Sequence, residues 1–191
     1  MKKIIVCAVL ALMATSMFAQ QEGKIRGGLD LGFAMPANGF GVAYDLHLGY
    51  NIKDNMTAGV RFGQAAMISV SEDETSAGAS ANTNILGTFT YFFNPSGGSF
   101  ALFGGAGAGV YMLAAATASG TGASAEGGNL FGGMLTAGFE FGKFRMAAEY
   151  TLLPSSPVKV VVGDVPDRNN SYFGITLGFV LGGGKWGGDR R

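Results

Sequence analysis

Eight side chains in this sequence have the reactivity that chemistry or ion binding would need: Arg26, Asp30, Asp45, His47, Arg61, Glu140, Arg145 and Glu149. Carboxylates can act as general acids or bases, but they need a partner of matched acidity or a nucleophile beside them. His47 is the only histidine and Cys7 the only cysteine. A transition-metal centre, which draws several such donors together, is therefore not expected. The glycines between Gly104 and Gly109 superficially suggest a phosphate-cradling loop, but no helix or βαβ pattern follows them. Glu72-Asp73-Glu74 could bridge a divalent cation to lipid headgroups; a solvated acidic loop is the plainer reading. The expectation is no catalytic residue, no metal and no cofactor. What remains is a set of opposite charges that pair with one another, and its meaning depends on the elements that carry it.

Those elements alternate with a period of two. In Ser171 to Leu181, Phe173, Ile175, Leu177, Phe179 and Leu181 share one face, while Tyr172, Gly174, Thr176 and Gly178 share the other. That is a β-strand pattern. A soluble barrel would turn its apolar face inward; here the apolar face is the large one and the opposite face is small and polar. Seven of the eight residues above are charged, and each falls on the face opposite the large apolar side chains of its strand. A charge facing lipid at mid-bilayer costs about 2–4 kcal/mol, so a hydrocarbon solvent enforces this segregation.

Eight such segments are expected: 25–34, 41–52, 56–66, 84–93, 100–113, 130–141, 144–153 and 171–181. Their connections alternate in length. Those at 53–55, 94–99 and 142–143 are tight, and those at 71–80, 115–128 and 154–170 are long. Membrane barrels have short turns on the periplasmic side and longer loops outside. An even number of strands puts both termini on the short-turn side. The expected fold is all-β, an eight-stranded antiparallel up-and-down transmembrane β-barrel.

Composition agrees. Of 191 residues 33 are Gly, 5 are Pro and only 14% are charged. No uninterrupted apolar run after the first twenty residues is long enough for a spanning helix. Lys2-Lys3, the apolar stretch Ile4 to Met13 and the Met17-Phe18-Ala19 site read as a secretory signal peptide over residues 1–19. The barrel then occupies residues 20–182, and 183–191 form a periplasmic tail. Cys7 lies inside the signal, so the mature chain has no disulfide. Losing Lys2 and Lys3 leaves 11 basic against 13 acidic residues. Such a balance offers nothing to a nucleic acid.

Turn chemistry sets the facing of the polar residues. A two-residue turn at Gly142-Lys143 suits a type II′ hairpin and puts Glu140 across from Arg145. A three-residue turn at Lys53-Asp54-Asn55 puts Ile52 opposite Met56 and His47 opposite Arg61, with Asp45 diagonal to Arg61. Asp30 reaches the same interior from the neighbouring strand. Eight strands leave an interior that side chains fill, and buried charges must pair. A closed ionic network is therefore expected, with Phe92, Phe103 and Tyr111 filling the other wall. Tyr50, Phe92, Phe93, Phe100, Phe141 and Phe144 cluster beside the tight turns as an interfacial girdle does.

The signal, the eight alternating strands, the inward Arg and Glu residues and the aromatic-rich last strand resemble the small outer-membrane barrels of the OmpX and OmpA transmembrane-domain type. Tyr172-x-Gly174-x-x-Leu177-x-Phe179 resembles the C-terminal signal read by the barrel-assembly machinery. The resemblance implies a monomer in the outer membrane of a Gram-negative bacterium, with outer-membrane lipid and that machinery as partners. The expected role is non-enzymatic, a surface interaction through the long loops, with 154–170 as the contact segment. A narrow porin-like passive channel gated by the Arg/Glu/Asp network is the alternative. A lipid-modifying enzyme would need a histidine at the outer rim, whereas His47 belongs nearer the opposite end.

Overall fold

The computed structural model describes residues 21–37, 39–70, 76–93, 100–119, 122–154 and 170–183. The expected signal peptide, Glu72-Asp73-Glu74, the turn at 94–99, residues 155–169 of the last loop and the tail beyond Gly183 lie outside the described residues. Eight strands follow in order: β1 (Ile25–Pro36), β2 (Gly39–Lys53), β3 (Met56–Val70), β4 (Ser76–Phe92), β5 (Phe100–Ser119), β6 (Gly122–Phe141), β7 (Phe144–Leu152) and β8 (Tyr172–Gly182). Each pairs antiparallel with its sequence neighbours, and β1 pairs antiparallel with β8. The sheet closes on itself, so neither β1 nor β8 is left as an edge.

The outer surface is apolar. Leu29, Leu31, Leu46, Leu48, Val60, Ile85, Leu135 and Leu177 are all exposed on it, whereas all seven charges face inward and are buried. Water does not stabilise such a surface; hydrocarbon does. The eleven residues of β8, at about 3.4 Å each and a tilt of about 40°, climb roughly 28 Å, which spans an apolar band about 25 Å tall.

The hairpin at Gly142-Lys143 behaves as its sequence predicts. Gly142 has φ +60°, which a side chain would resist, and Phe141 pairs with Phe144 and Glu140 with Arg145. The hairpin before β3 differs from expectation. Lys53, not Ile52, pairs with Met56, and the register shifts between Asn51 and Lys53. Ile52 is thus an extra residue in β2, a bulge beside a two-residue turn at Asp54-Asn55. Asn51 forces this, because its buried side chain accepts a hydrogen bond from Thr57 Oγ1 at 2.8 Å and donates to the carbonyls of Gln21 and Gly183, each at 3.0 Å. With Asn51 pinned inward, the surplus residue falls after it, and His47 still pairs with Arg61.

Three strands run longer than their hydropathy suggests. Residues expected as loops at 76–80, 115–119 and 122–128 continue the ladders, to Val70↔Ala77, Ser76↔Ser119 and Ser119↔Gly122. Apart from Glu126, these are Ala, Ser, Thr and Gly segments with no alternation of size. Beyond the bilayer both faces of a sheet meet water, so the period-two signal stops while backbone pairing goes on. By contrast β7 ends at Leu152, opposite Gly133. In a two-residue hairpin the pair beside the turn is hydrogen-bonded, and so is every second pair beyond it. That sequence reaches Pro154, which has no N–H for the ladder. On its other side, toward β8, Leu153 N donates to Ser171 Oγ at 3.1 Å.

Candidate functional site

The site is the lumen, and it has two ends. The turn end carries the start of β1, the end of β8 and the hairpins at 54–55 and 142–143; the loop end lies opposite. Lumen-facing residues alternate along every strand, so their order in sequence is also their order in depth.

Near the turn end, Arg26 of β1 reaches across to Glu140 of β6, Nη2 to Oε1 at 2.5 Å. Arg145 of β7 stands at 3.5 Å from the same Glu140 oxygen and, through Nε, at 3.3 Å from Asp30 Oδ2. His47 Nδ1 lies 3.6 Å from that Asp30 oxygen. Guanidinium planes cover two phenylalanines: Arg26 Cζ sits 5.1 Å from the Phe92 ring centre and Arg145 Cζ 4.2 Å from that of Phe103. Away from water such contacts are each worth up to about 2 kcal/mol. Phe92, expected also in the outer girdle, is instead buried in the lumen. Tyr50, Phe93, Phe100 and Phe141 do face outward at this end.

At mid-height Arg61 of β3 is the hub. Its Nη1 and Nη2 grip both Glu149 oxygens at 2.7 and 2.6 Å, and its Nε and Nη2 meet the two Asp45 oxygens at 3.0 and 2.6 Å. A planar fork suits this bidentate arrangement, which lysine could not supply. Asp30 and Asp45 are direct cross-strand partners, yet each turns to a different arginine. The eight expected residues therefore form two groups, Arg26–Glu140–Arg145–Asp30–His47 and Asp45–Arg61–Glu149. Asp30 joins the Arg145 group rather than Arg61.

The tightness of the interior shows in its glycines. A Cβ on Gly178 would collide with Asp30 Oδ1 and the Leu29 carbonyl, and one on Gly28 would collide with the His47 imidazole. β8 and β1 thus yield space to the charged residues of their neighbours. A cavity of about 40 Å³ remains, lined in part by Asp30, His47, Thr88, Thr136 and Arg145. By volume it accommodates about three waters.

From Arg61 toward the loop end the filling changes, starting with Leu86, its cross-strand partner, and Met134, whose Sδ accepts from Arg61 Nη1 at 2.7 Å. Leu86, Tyr111, Met134 and Leu153 form one buried cluster, and Ala34, Ala65, Met67 and Tyr172 another. Asn82 Nδ2 donates to Tyr172 Oη at 3.2 Å between them. Sequence reasoning placed Tyr111 inward but did not single out Asn51, Asn82 or Leu86; face parity within their strands is the signal that marks all three. Of the residues matching the assembly signal, Tyr172 and Gly174 face the lumen, while Leu177 and Phe179 face outward.

No protein-family model matches the sequence, and no curated protein matches it. Solved structures do match in shape. Neisserial surface protein A (NspA) superposes with a TM-score of 0.54 at 11% identity, covering 84% of this chain and 97% of that one. The outer membrane protein OprG from Pseudomonas aeruginosa superposes with a TM-score of 0.53 at 13% identity, covering 85% of this chain and 98% of that one. The chain has the fold of the small eight-stranded outer-membrane β-barrels.

Proposed function

We propose that this is a non-enzymatic outer-membrane barrel whose lumen is a structural core and whose work is done at the loop end, by contact with a surface partner through 154–170. The observation that carries this reading is the packing of Leu86, Tyr111, Met134 and Leu153 across the lumen, directly against an already paired ionic network. A barrel filled in this way presents function on its rim rather than through its middle. In this reading both termini are periplasmic, the protein is a monomer in a Gram-negative outer membrane, and Tyr172, Gly174, Leu177 and Phe179 serve the barrel-assembly machinery. Two measurements test it. Replacing 155–168 with a short Gly/Ser loop abolishes surface binding while heat-modifiable gel migration persists; unchanged binding would refute the reading. Protease added to intact cells cleaves within 155–169 and spares 142–143.

The cavity beside Arg145 favours a second reading, a narrow passive channel. Planar-bilayer recordings separate the two. The filled-core reading expects no steady conductance, and the channel reading expects a conductance that Arg145→Ala alters.

A further inference from the structure

Seven of the eight ladders join strands that are neighbours in sequence; the eighth closes the tube by pairing β1 with β8, from Arg26↔Gly182 to Pro36↔Tyr172. The entropy of closing a loop that holds most of the chain falls on that one seam, so the local ladders are rewarded before it is. At the turn end the seam is finished by more than its ladder. β8 ends on Gly182 and Gly183, at φ +79° and +87°, and the chain enters β1 through Gly23, at φ +79°. These are left-handed conformations that glycine adopts readily. They bring two carbonyls, those of Gln21 and Gly183, to one side chain: Asn51 of β2 donates through Nδ2 to each at 3.0 Å.

We propose that Asn51 is a clasp on the closing seam: it ties the entry to β1 and the exit from β8 to the β2–β3 hairpin, and so sets how readily the barrel parts at its turn end. Asn51 commits its side chain and its backbone alike to this corner. Its Oδ1 accepts from Thr57 Oγ1 at 2.8 Å. Its backbone N–H donates to the Lys24 carbonyl at 2.9 Å, and its own carbonyl accepts from Gly23 N at 2.8 Å. Around it Gln21 N donates to the Gly183 carbonyl, and Gly183 N to that of Ile25 at 2.9 Å. Asn51 is fully buried, and away from water such bonds are stronger and their loss costlier. Only a carboxamide matches the corner, because two N–H groups face two carbonyls while an oxygen faces a hydroxyl. Aspartate has the same shape but would turn a bare acceptor on both carbonyls. The clasp acts on the wall of the barrel, whether the loop end binds a partner or the lumen conducts.

Hydrogen exchange of the protein folded into phosphatidylcholine vesicles tests the clasp, ladder by ladder. Asn51→Asp should speed exchange of the seam amides at the turn end, 26–28 and 181–183, at least about tenfold, and leave the β4–β5 amides at the same end, 90–92 and 101–103, within about twofold. Thr57→Val removes one bond of the cluster on the hairpin side alone and should move the seam less than Asn51→Asp does. An unchanged seam, or equal acceleration of both ladders, would overturn the proposal. Where Asn51→Asp does not fold, Asn51→Ala, which withdraws the donors without adding an acceptor, is read in the same way. Crosslinks then locate the opening. In a Cys7→Ser chain every cysteine is an introduced one. Gly27 pairs with Leu181 across the seam, and a Cβ at Gly27 meets only ordinary contacts; Ala148 pairs with Ile175 between β7 and β8. Residues paired across neighbouring strands lie within disulfide range. The acceleration caused by the Asn51 variant should vanish when oxidised Gly27→Cys/Leu181→Cys pins the seam and persist when oxidised Ala148→Cys/Ile175→Cys pins β7 to β8. Acceleration that survives the first crosslink, or vanishes with the second, would place the effect elsewhere and overturn the clasp.

Discussion

Between its turn end and its loop end the lumen changes from an ionic filling to a mostly neutral one. Arg26, Arg61, Arg145 and their four carboxylate partners occupy the turn end and mid-height, where Leu86 sits beside Arg61; Tyr111, Met67, Tyr172 and Asn82 occupy the loop end. Both fill the same eight-stranded tube, so diameter does not dictate the choice. The difference lies in which strands contribute. β4 and β5 bring no charge to the described interior, and their bulk, Phe92 and Phe103 below, Leu86 and Tyr111 above, supplies one wall throughout. β1, β2, β3, β6 and β7 bring the charges at matched depths. A neutral filling gains from contact alone, whereas an ionic one depends on each partner being present.

That dependence makes the sharpest test. Arg61→Ala leaves Asp45 and Glu149 buried with no cation between them, and should reduce unfolding stability by about 3–5 kcal/mol, read from urea titration in lipid vesicles. Adding Asp45→Asn and Glu149→Gln to Arg61→Met should restore most of the loss, because a buried network can be replaced by neutral groups of similar volume. If Arg61→Ala costs no more than a surface substitution, the two halves are energetically alike and the contrast fails.

Moving a guanidinium to the other side of the wall tests the solvent instead of the pairing. Leu177, about half exposed on β8, faces Leu31 and Met146 on the neighbouring strands. Leu177→Arg should cost about 2–4 kcal/mol in a bilayer. A negligible cost in vesicles would mean that water, not lipid, touches this face.

Much of this was legible before any coordinates. The strand number, the faces and the pairing Glu140↔Arg145 follow from a period-two pattern and one Gly-Lys turn, because lipid on one side and a crowded lumen on the other write a strong alternation; His47↔Arg61 was expected from a three-residue turn and is reached instead through a bulge and a two-residue one. Where lipid ends, the alternation ends too, so the outer reaches of β4, β5 and β6 read as loops although they are strands. The Ile52 bulge was hidden for a different reason. Its cause is the hold of Asn51 on Gln21 and Gly183, contacts distant in sequence that no local pattern encodes. The cross-lumen pairs Arg26–Glu140 and Arg61–Glu149 were unreadable likewise, since strand register gives neighbours along the sheet but not residues facing each other across the tube.

Gly178 tests how closely the charged region is packed. Any Cβ there meets Asp30 and the β1 backbone, and the backbone cannot swing away as a side chain would. Gly178→Ala should therefore cost about 1–3 kcal/mol by overpacking. Gly142→Ala would act through φ +60° at a turn and leave the interior untouched, so the pair separates crowding from backbone strain. Restoring stability in Gly178→Ala by adding Asp30→Ala would locate the clash at the carboxylate; no restoration would locate it at the Leu29 carbonyl.

The smallest effect belongs to the neutral half. Tyr172 and Asn82 share one hydrogen bond at 3.2 Å, with both residues buried. Tyr172→Phe keeps the ring against Ala34, Ala65 and Met67 and removes only the hydroxyl. That hydroxyl also bonds the Thr151 side chain; each neutral hydrogen bond contributes about 0.5–1.5 kcal/mol, and the two together set the expected loss. Tyr172 also occupies the first position of the proposed assembly signal, so the same variant separates the two roles. If the position serves only lumen packing, the purified variant refolds into vesicles and accumulates in cells in the same proportion, both slightly reduced. If the machinery reads the residue as a polar group, accumulation in the outer membrane falls well beyond the loss measured in vesicles. The comparison is clean because Phe preserves the volume, the strand propensity and the facing of the side chain.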